Sequence, residues 1–118
     1  MTPTSWPPKV GDPLPRAAEA WCEPSKWDGW ILVTRGHGAE WAKVLHVGLD
    51  DVEAVWAAIA EAVLADPVSK VRDLGAHGLN CRVDTRLTIG ARSAPIRTAW
   101  HYADTDSPPR LVSAYPNL

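Results

Sequence analysis

The sequence predicts an α+β domain, with two N-terminal helices packed on one face of an antiparallel meander of three to four strands. Three observations carry that reading. The middle of the chain holds apolar residues at three- and four-residue steps, residues 79–89 alternate strictly between apolar and polar, and the stretches "GARSAP" and "DTDSPP" mark turns between strand-like segments. A chain of 118 residues has room for one hydrophobic core.

Six of the eleven prolines fall within residues 1–24. Residues 1–19 are therefore expected to form a Pro-rich N-terminal arm with little regular structure, packing mainly through Trp6, and residues 20–118 the α+β domain. Deleting the arm is expected to leave that domain folded. Residues 27–34, "WDGWILVT", are too short and apolar for the period to decide, and fit a short strand or an extended entry to the first helix.

After "RGHG" the pattern becomes helical over 38–47, with Trp41, Val44 and Leu45 on one face and Gly48 suited to closing the helix. A second helix is expected over 50–65. Leu49, Val52, Val55, Trp56, Ile59, Val63 and Leu64 set its apolar stripe, Asp50 with Glu53 reads as an N-cap pair, and Asp66-Pro67 stops it. A short strand is expected near 68–74. In 79–89 the odd positions from Leu79 to Ile89 form an apolar face and Asn80, Arg82, Asp84, Arg86 and Thr88 a wet one. Strands at 96–102 and 110–115 follow. Val52, Val55, Ile59, Val63, Val83 and Leu87 are the expected core.

Composition excludes several classes. No apolar run approaches the roughly 20 residues of a membrane helix, and the N-terminus has no signal-peptide apolar region, so a soluble chain acting in the cytoplasm is expected, free-standing or cut from a larger protein. Cys22 and Cys81 show no zinc-like spacing, and Cys81, on the apolar phase of a strand, reads as a buried free thiol suited to a reducing compartment. Walker, dinucleotide, HExxH and nucleophile-elbow motifs are absent, as is any carboxylate cluster for a divalent metal, so no cofactor is expected. The net charge of −2 argues against an indiscriminate nucleic-acid binder, yet it is unevenly spread. Residues 1–66 hold five Lys/Arg against ten Asp/Glu, and residues 67–118 hold seven against four. The basic part is the strand-rich part, which permits an anionic ligand on the sheet. Seven Trp and no Phe fit either core filling or a stacking platform for bases or sugars.

Two features could carry chemistry. His37 lies between two glycines just before a helix, where free N–H groups and the dipole favour an anion and an imidazole can exchange a proton; taken alone, a capping or hinge histidine in a turn is the plainer reading. Along 96–102, Arg97, Ala99 and His101 point away from Ile96, Thr98, Trp100 and Tyr102. In the last strand Leu111, Ser113 and Tyr115 alternate with Arg110, Val112 and Ala114. Arg110 and Ser113 thus leave opposite faces unless a bulge intervenes. His46 and His77 read as surface residues.

The order "KWDGWIL…GHGAEWAKVL…G", an amphipathic helix, and then "PIRTAWHY…PPRLVSAYP" resembles a family of small toxin-associated bacterial domains of the barnase/EndoU/colicin/RelE-like (BECR) group. The resemblance covers about residues 20–116 and is most specific at His37-Gly38 and the closing "RLVSAYP". Where that family carries a lysine after His-Gly this chain has Trp41, with Lys43 two residues later; its usual late threonine is Ser113.

The resemblance implies a metal-independent endoribonuclease toxin that uses the RNA 2′-OH to leave a 2′,3′-cyclic phosphate, countered by a cognate immunity protein or antitoxin. His37 would be general base or acid. Arg97 and Arg110 would clamp phosphate, Ser113 and Tyr115 would donate hydrogen bonds or relay protons, and Lys43 and His101 would contribute to substrate binding. A catalytically inactive binding module of the same fold, gripping a protein or nucleic acid on its open sheet face, is the alternative.

Overall fold

The computed structural model describes residues 6–32 and 37–117. Two α-helices, α1 (Gly38–Leu45) and α2 (Val52–Ala65), precede a four-stranded sheet of β1 (Val68–Asp73), β2 (Leu79–Ile89), β3 (Arg92–Tyr102) and β4 (Arg110–Pro116). Each strand pairs antiparallel with the next, in the order β1-β2-β3-β4. The helices cover one face of this sheet, α2 against β2 and α1 against β3 and β4. The α+β class and the meander stand as the alternation predicts.

The core follows from period two meeting period 3.6. Leu79, Cys81, Val83 and Leu87 of β2 and Ile96, Trp100 and Tyr102 of β3 turn inward, and Val55, Ile59 and Val63 of α2 pack against them. Val52 is only half-buried, while Leu49 and Leu64, included in the expected stripe, are exposed. Three indoles form a chain through this layer: Trp27 meets Trp56 edge-on at 6.3 Å, and Trp56 tilts against Trp100 at 6.2 Å. The indole N–H groups of the fully buried Trp100 and Trp41 find acceptors. Trp100 Nε1 donates to Thr98 Oγ1 at 2.8 Å, Thr98 Oγ1 donates to the Val83 carbonyl, and Trp41 Nε1 donates to the Ala114 carbonyl at 3.0 Å.

Several local expectations are corrected. Trp27–Ile31 form a π-helical turn rather than a strand or extended entry, closed by the Leu32 N–H on the Trp27 carbonyl; residues 33–34 lie outside the described residues. Helix α1 ends at Leu45 because His46, not Gly48, takes the left-handed conformation with φ 55°. Gly48 is extended and starts a 3₁₀ turn, where Asp51, not Asp50, accepts its N–H at 2.9 Å. Strand β3 begins four residues earlier than expected. Ile89 pairs with Arg92 across a two-residue turn in which Gly90 supplies a positive φ of 61°, and Pro95 is tolerated where β4 runs out beside Ile96.

The Pro-rich arm is tied down at many points besides Trp6. Gly11 N–H donates to the Val68 carbonyl and Val68 N–H to the Asp12 carbonyl, both at 2.8 Å, which bridges the arm to the start of β1. Leu14 is 3% exposed within the main core. Tyr102 donates its hydroxyl proton to the Pro15 carbonyl at 2.7 Å, a single 3₁₀ turn follows at Ala17–Glu19, and Trp21 bridges in parallel to Arg110.

Leu14→Ala is expected to cost about 2–5 kcal/mol, as for other buried leucines, measured as a drop in urea midpoint. Removal of the arm up to residue 19 should broaden or abolish the cooperative transition, because it also strips Tyr102 of its acceptor. A truncated chain that melts as sharply and as high as the full one would contradict this packing.

Candidate functional site

The uncovered face of the sheet is set by the β2–β3 register. Arg97 pairs with Asp84, Ala99 with Arg82 and His101 with Asn80, so these side chains share the face opposite the helices. Strand β4 joins them through a bulge: Ala99 pairs with Ser113, but Trp100 pairs with Leu111, leaving Val112 as the extra residue. Leu111 and Ala114 are thereby buried, and Arg110, Ser113 and Tyr115 all line up with His101, Ala99 and Arg97. Arg110 and Ser113, which a regular strand would separate, are on one face.

His37 reaches this face from the start of α1. Its ring stacks on Tyr115, with centroids 4.7 Å apart and planes 22° from parallel. Tyr115 in turn stands directly opposite Arg97 as its cross-strand neighbour. Arg97 Nε donates to Asp84 Oδ1 at 2.9 Å, and this bond is the main influence keeping the guanidinium charged. Burial alone would lift the Asp84 carboxyl; the bond and charge of Arg97, with help from Ser69 and Arg82, outweigh it and hold Asp84 below its ordinary 3.8. His37 Nδ1 lies 3.4 Å from Glu40 Oε1, one helical turn on. His37, Tyr115, Arg97 and Asp84 therefore form one connected, half-exposed chain of groups.

The remaining sequence-predicted residues lie at varying distances from it. Ser113 is one row away, opposite Ala99, and Arg110 a further row on, opposite His101. His101 Nδ1 pairs with Asn80 Oδ1 at 2.7 Å; burial, and then the charge of Arg110, push its pKa below 6.5, so it is neutral in this setting. Lys43 is exposed two positions after Trp41, about 200° around the helix, and points away from the sheet that Trp41 touches. Trp41 itself is 0% exposed and spends its N–H on Ala114, so that position serves packing. His46 and His77 are exposed, in a helix end and a 3₁₀ turn.

Two members of the cluster escaped sequence reasoning. Glu40 was readable as the i+3 neighbour of His37. Asp84 was visible on the wet face of its strand, but its tie to Arg97 depends on a register that no local pattern states. Among the described residues no three His, Cys, Asp or Glu gather in a way that could hold a metal ion. Both cysteines are free, and burial pushes Cys22 up to about 11 and Cys81 up to about 12, so neither offers a reactive thiolate.

No protein-family model matches the chain, and neither the curated proteins nor the solved structures include a match to it. Class and chemistry accordingly rest on the residues themselves.

His101 gives this face a pH signature. Its folded pKa lies below the unfolded value near 6.5, so the unfolded chain binds the extra proton first. Stability should hold above that pH and decline as pH falls through it toward the folded pKa, well before Asp84 begins to titrate. His101→Asn should flatten this segment of a Tm-against-pH curve. An unchanged slope in the variant would show that another group is responsible.

Proposed function

We propose that this chain is a metal-independent endoribonuclease acting on RNA through its 2′-OH. One observation carries the reading: the imidazole of His37 is delivered onto the open sheet face, against Tyr115 and beside Arg97, with Ser113 one row away. Cleavage by this route needs a base for the 2′-OH proton, an acid for the departing 5′-oxygen, and positive charge on the phosphorane.

The residues divide that work by position. Glu40 beside Nδ1 favours the tautomer in which Nδ1 carries the proton, making Nε2 the basic nitrogen that takes the 2′-OH proton. Arg97, oriented by Asp84, presents its remaining N–H groups to the non-bridging oxygens. Tyr115, opposite Arg97, would pass a proton to the leaving oxygen, and Ser113 would donate to the phosphoryl group. Arg110 holds a neighbouring phosphate; neutral His101 beside it offers a hydrogen bond rather than charge. An immunity protein or antitoxin that neutralises such an enzyme would do so by covering this face, and the site of action would be the cytoplasm where RNA is met.

A second reading has its own support. The pairing of Arg97 with Asp84 and the burial of Trp41, where the resembled family has lysine, both reduce the charge available to a phosphorane. The same face would then bind RNA or protein without cutting.

Incubation of the purified chain with RNA in excess chelator, followed by analysis of the product ends, separates the two. The expected result is 2′,3′-cyclic phosphate ends, with His37→Ala lowering the rate by roughly 10²–10⁴, the usual contribution of a positioned acid or base. RNA that is retained but uncut by the native chain would favour the binding module.

A further inference from the structure

Three cations stand together on the same face but outside the cluster just described. Lys70 and Arg72 of β1 pair with Arg82 and Asn80 of β2. With the small side chain of Ala99 they line a hollow of about 170 Å³. Among the described residues lining it, none is acidic. Arg82 does act on the Asp84 carboxylate, but that group is already engaged by Arg97.

This gathering depends on a second bulge. Val68 pairs with Val83, yet Lys70 rather than Ser69 pairs with Arg82. The extra residue, Ser69, is held by its hydroxyl on the Arg82 carbonyl at 3.2 Å. Lys70 directly opposite Arg82 is a like-charge cross-strand pair, an arrangement that destabilises a sheet by itself. An anion in the hollow would remove that penalty.

We infer that the hollow is a second phosphate subsite for the same RNA strand, placed several nucleotides from the bond that lies over His37 and Arg97. The choice of polymer rests on the ribonuclease reading; the anion-binding character rests on the cations alone. Lys70 lies three inter-strand steps and one row from Tyr115, about 16 Å across the sheet. No single phosphodiester link spans that. The substrate class is therefore single-stranded RNA long enough to cross from β4 to β1, and a dinucleotide cannot engage both ends. Ala99 leaves the β3 position between Arg82 and Ser113 without a long side chain.

The test is the salt dependence of binding, read with a single-stranded 2′-deoxy oligonucleotide that cannot be cleaved. Each phosphate neutralised on a single strand contributes about 0.7 to the slope of log K against log salt. Lys70→Gln with Arg72→Gln should remove the one phosphate contact of this subsite and reduce that slope by about 0.7. Both side chains are exposed, and the unliganded variant should melt no lower than the native chain, since a repulsive pair is relieved. An unchanged slope overturns the subsite, as does failure of the native chain to bind the oligonucleotide at low salt. Poly-glutamate binding with the same loss of slope would overturn it in favour of an acidic protein. A chain that binds as expected yet never cleaves leaves the subsite standing and removes the ribonuclease reading. A chain that cleaves with an unchanged slope does the reverse.

Discussion

The pairing of β2 with β3 is the constraint on which the rest of the molecule depends. It runs without interruption from Leu79 opposite Tyr102 to Ile89 opposite Arg92. Because side chains alternate with period two, a slip of one residue by either strand would exchange its core residues, Val83 and Leu87 or Ile96 and Trp100, for Asp84 and Arg86 or Arg97 and His101. Thr98 and Trp100 add a directional lock, since their side-chain bonds end on the Val83 carbonyl of the facing strand. Once this ladder is fixed, the sidedness of every charged group on the two central strands is fixed too.

The outer strands do not simply copy that phase. Each carries one extra residue, Ser69 in β1 and Val112 in β4. In β1 the bulge sets the buried anchor Val68 apart from Lys70 and Arg72, which stay in water, and in β4 it lets Leu111 and Ala114 both be buried while Arg110, Ser113 and Tyr115 share the open face. Core demand at the two edges thus concentrates positive charge on the uncovered face, while most of the acidic residues lie in the arm and helical half of the chain.

Sequence pattern captured what is periodic and missed what is not. The alternation in 79–89 and the Val55, Ile59, Val63 stripe left little freedom, because each repeats one phase over several turns or residues. His37, Arg97 and Tyr115 could be singled out by residue type, but only the fold brings a helix start, a central strand and an edge strand together. The bulges are invisible in composition, since a one-residue insertion changes facing without changing character. Asp51 instead of Asp50, and His46 instead of Gly48, were decided by single backbone conformations. Lys43 was a plausible cation in sequence and is carried away by the helix phase that buries Trp41.

The bond from the Trp41 indole to the Ala114 carbonyl also bears on how copies of this chain behave toward one another. A β-strand at the margin of a sheet exposes main-chain groups that can recruit another strand edge to edge. Here a side chain from α1 occupies an acceptor of β4, Trp21 takes up the Pro109 carbonyl and receives the Leu111 N–H, and the arm bonds across the start of β1. Both margins of the sheet are thus partly claimed from within the chain. Loosening of the arm or of α1 would expose templates for intermolecular zippering, so aggregation should begin with partial opening at these margins rather than with global unfolding.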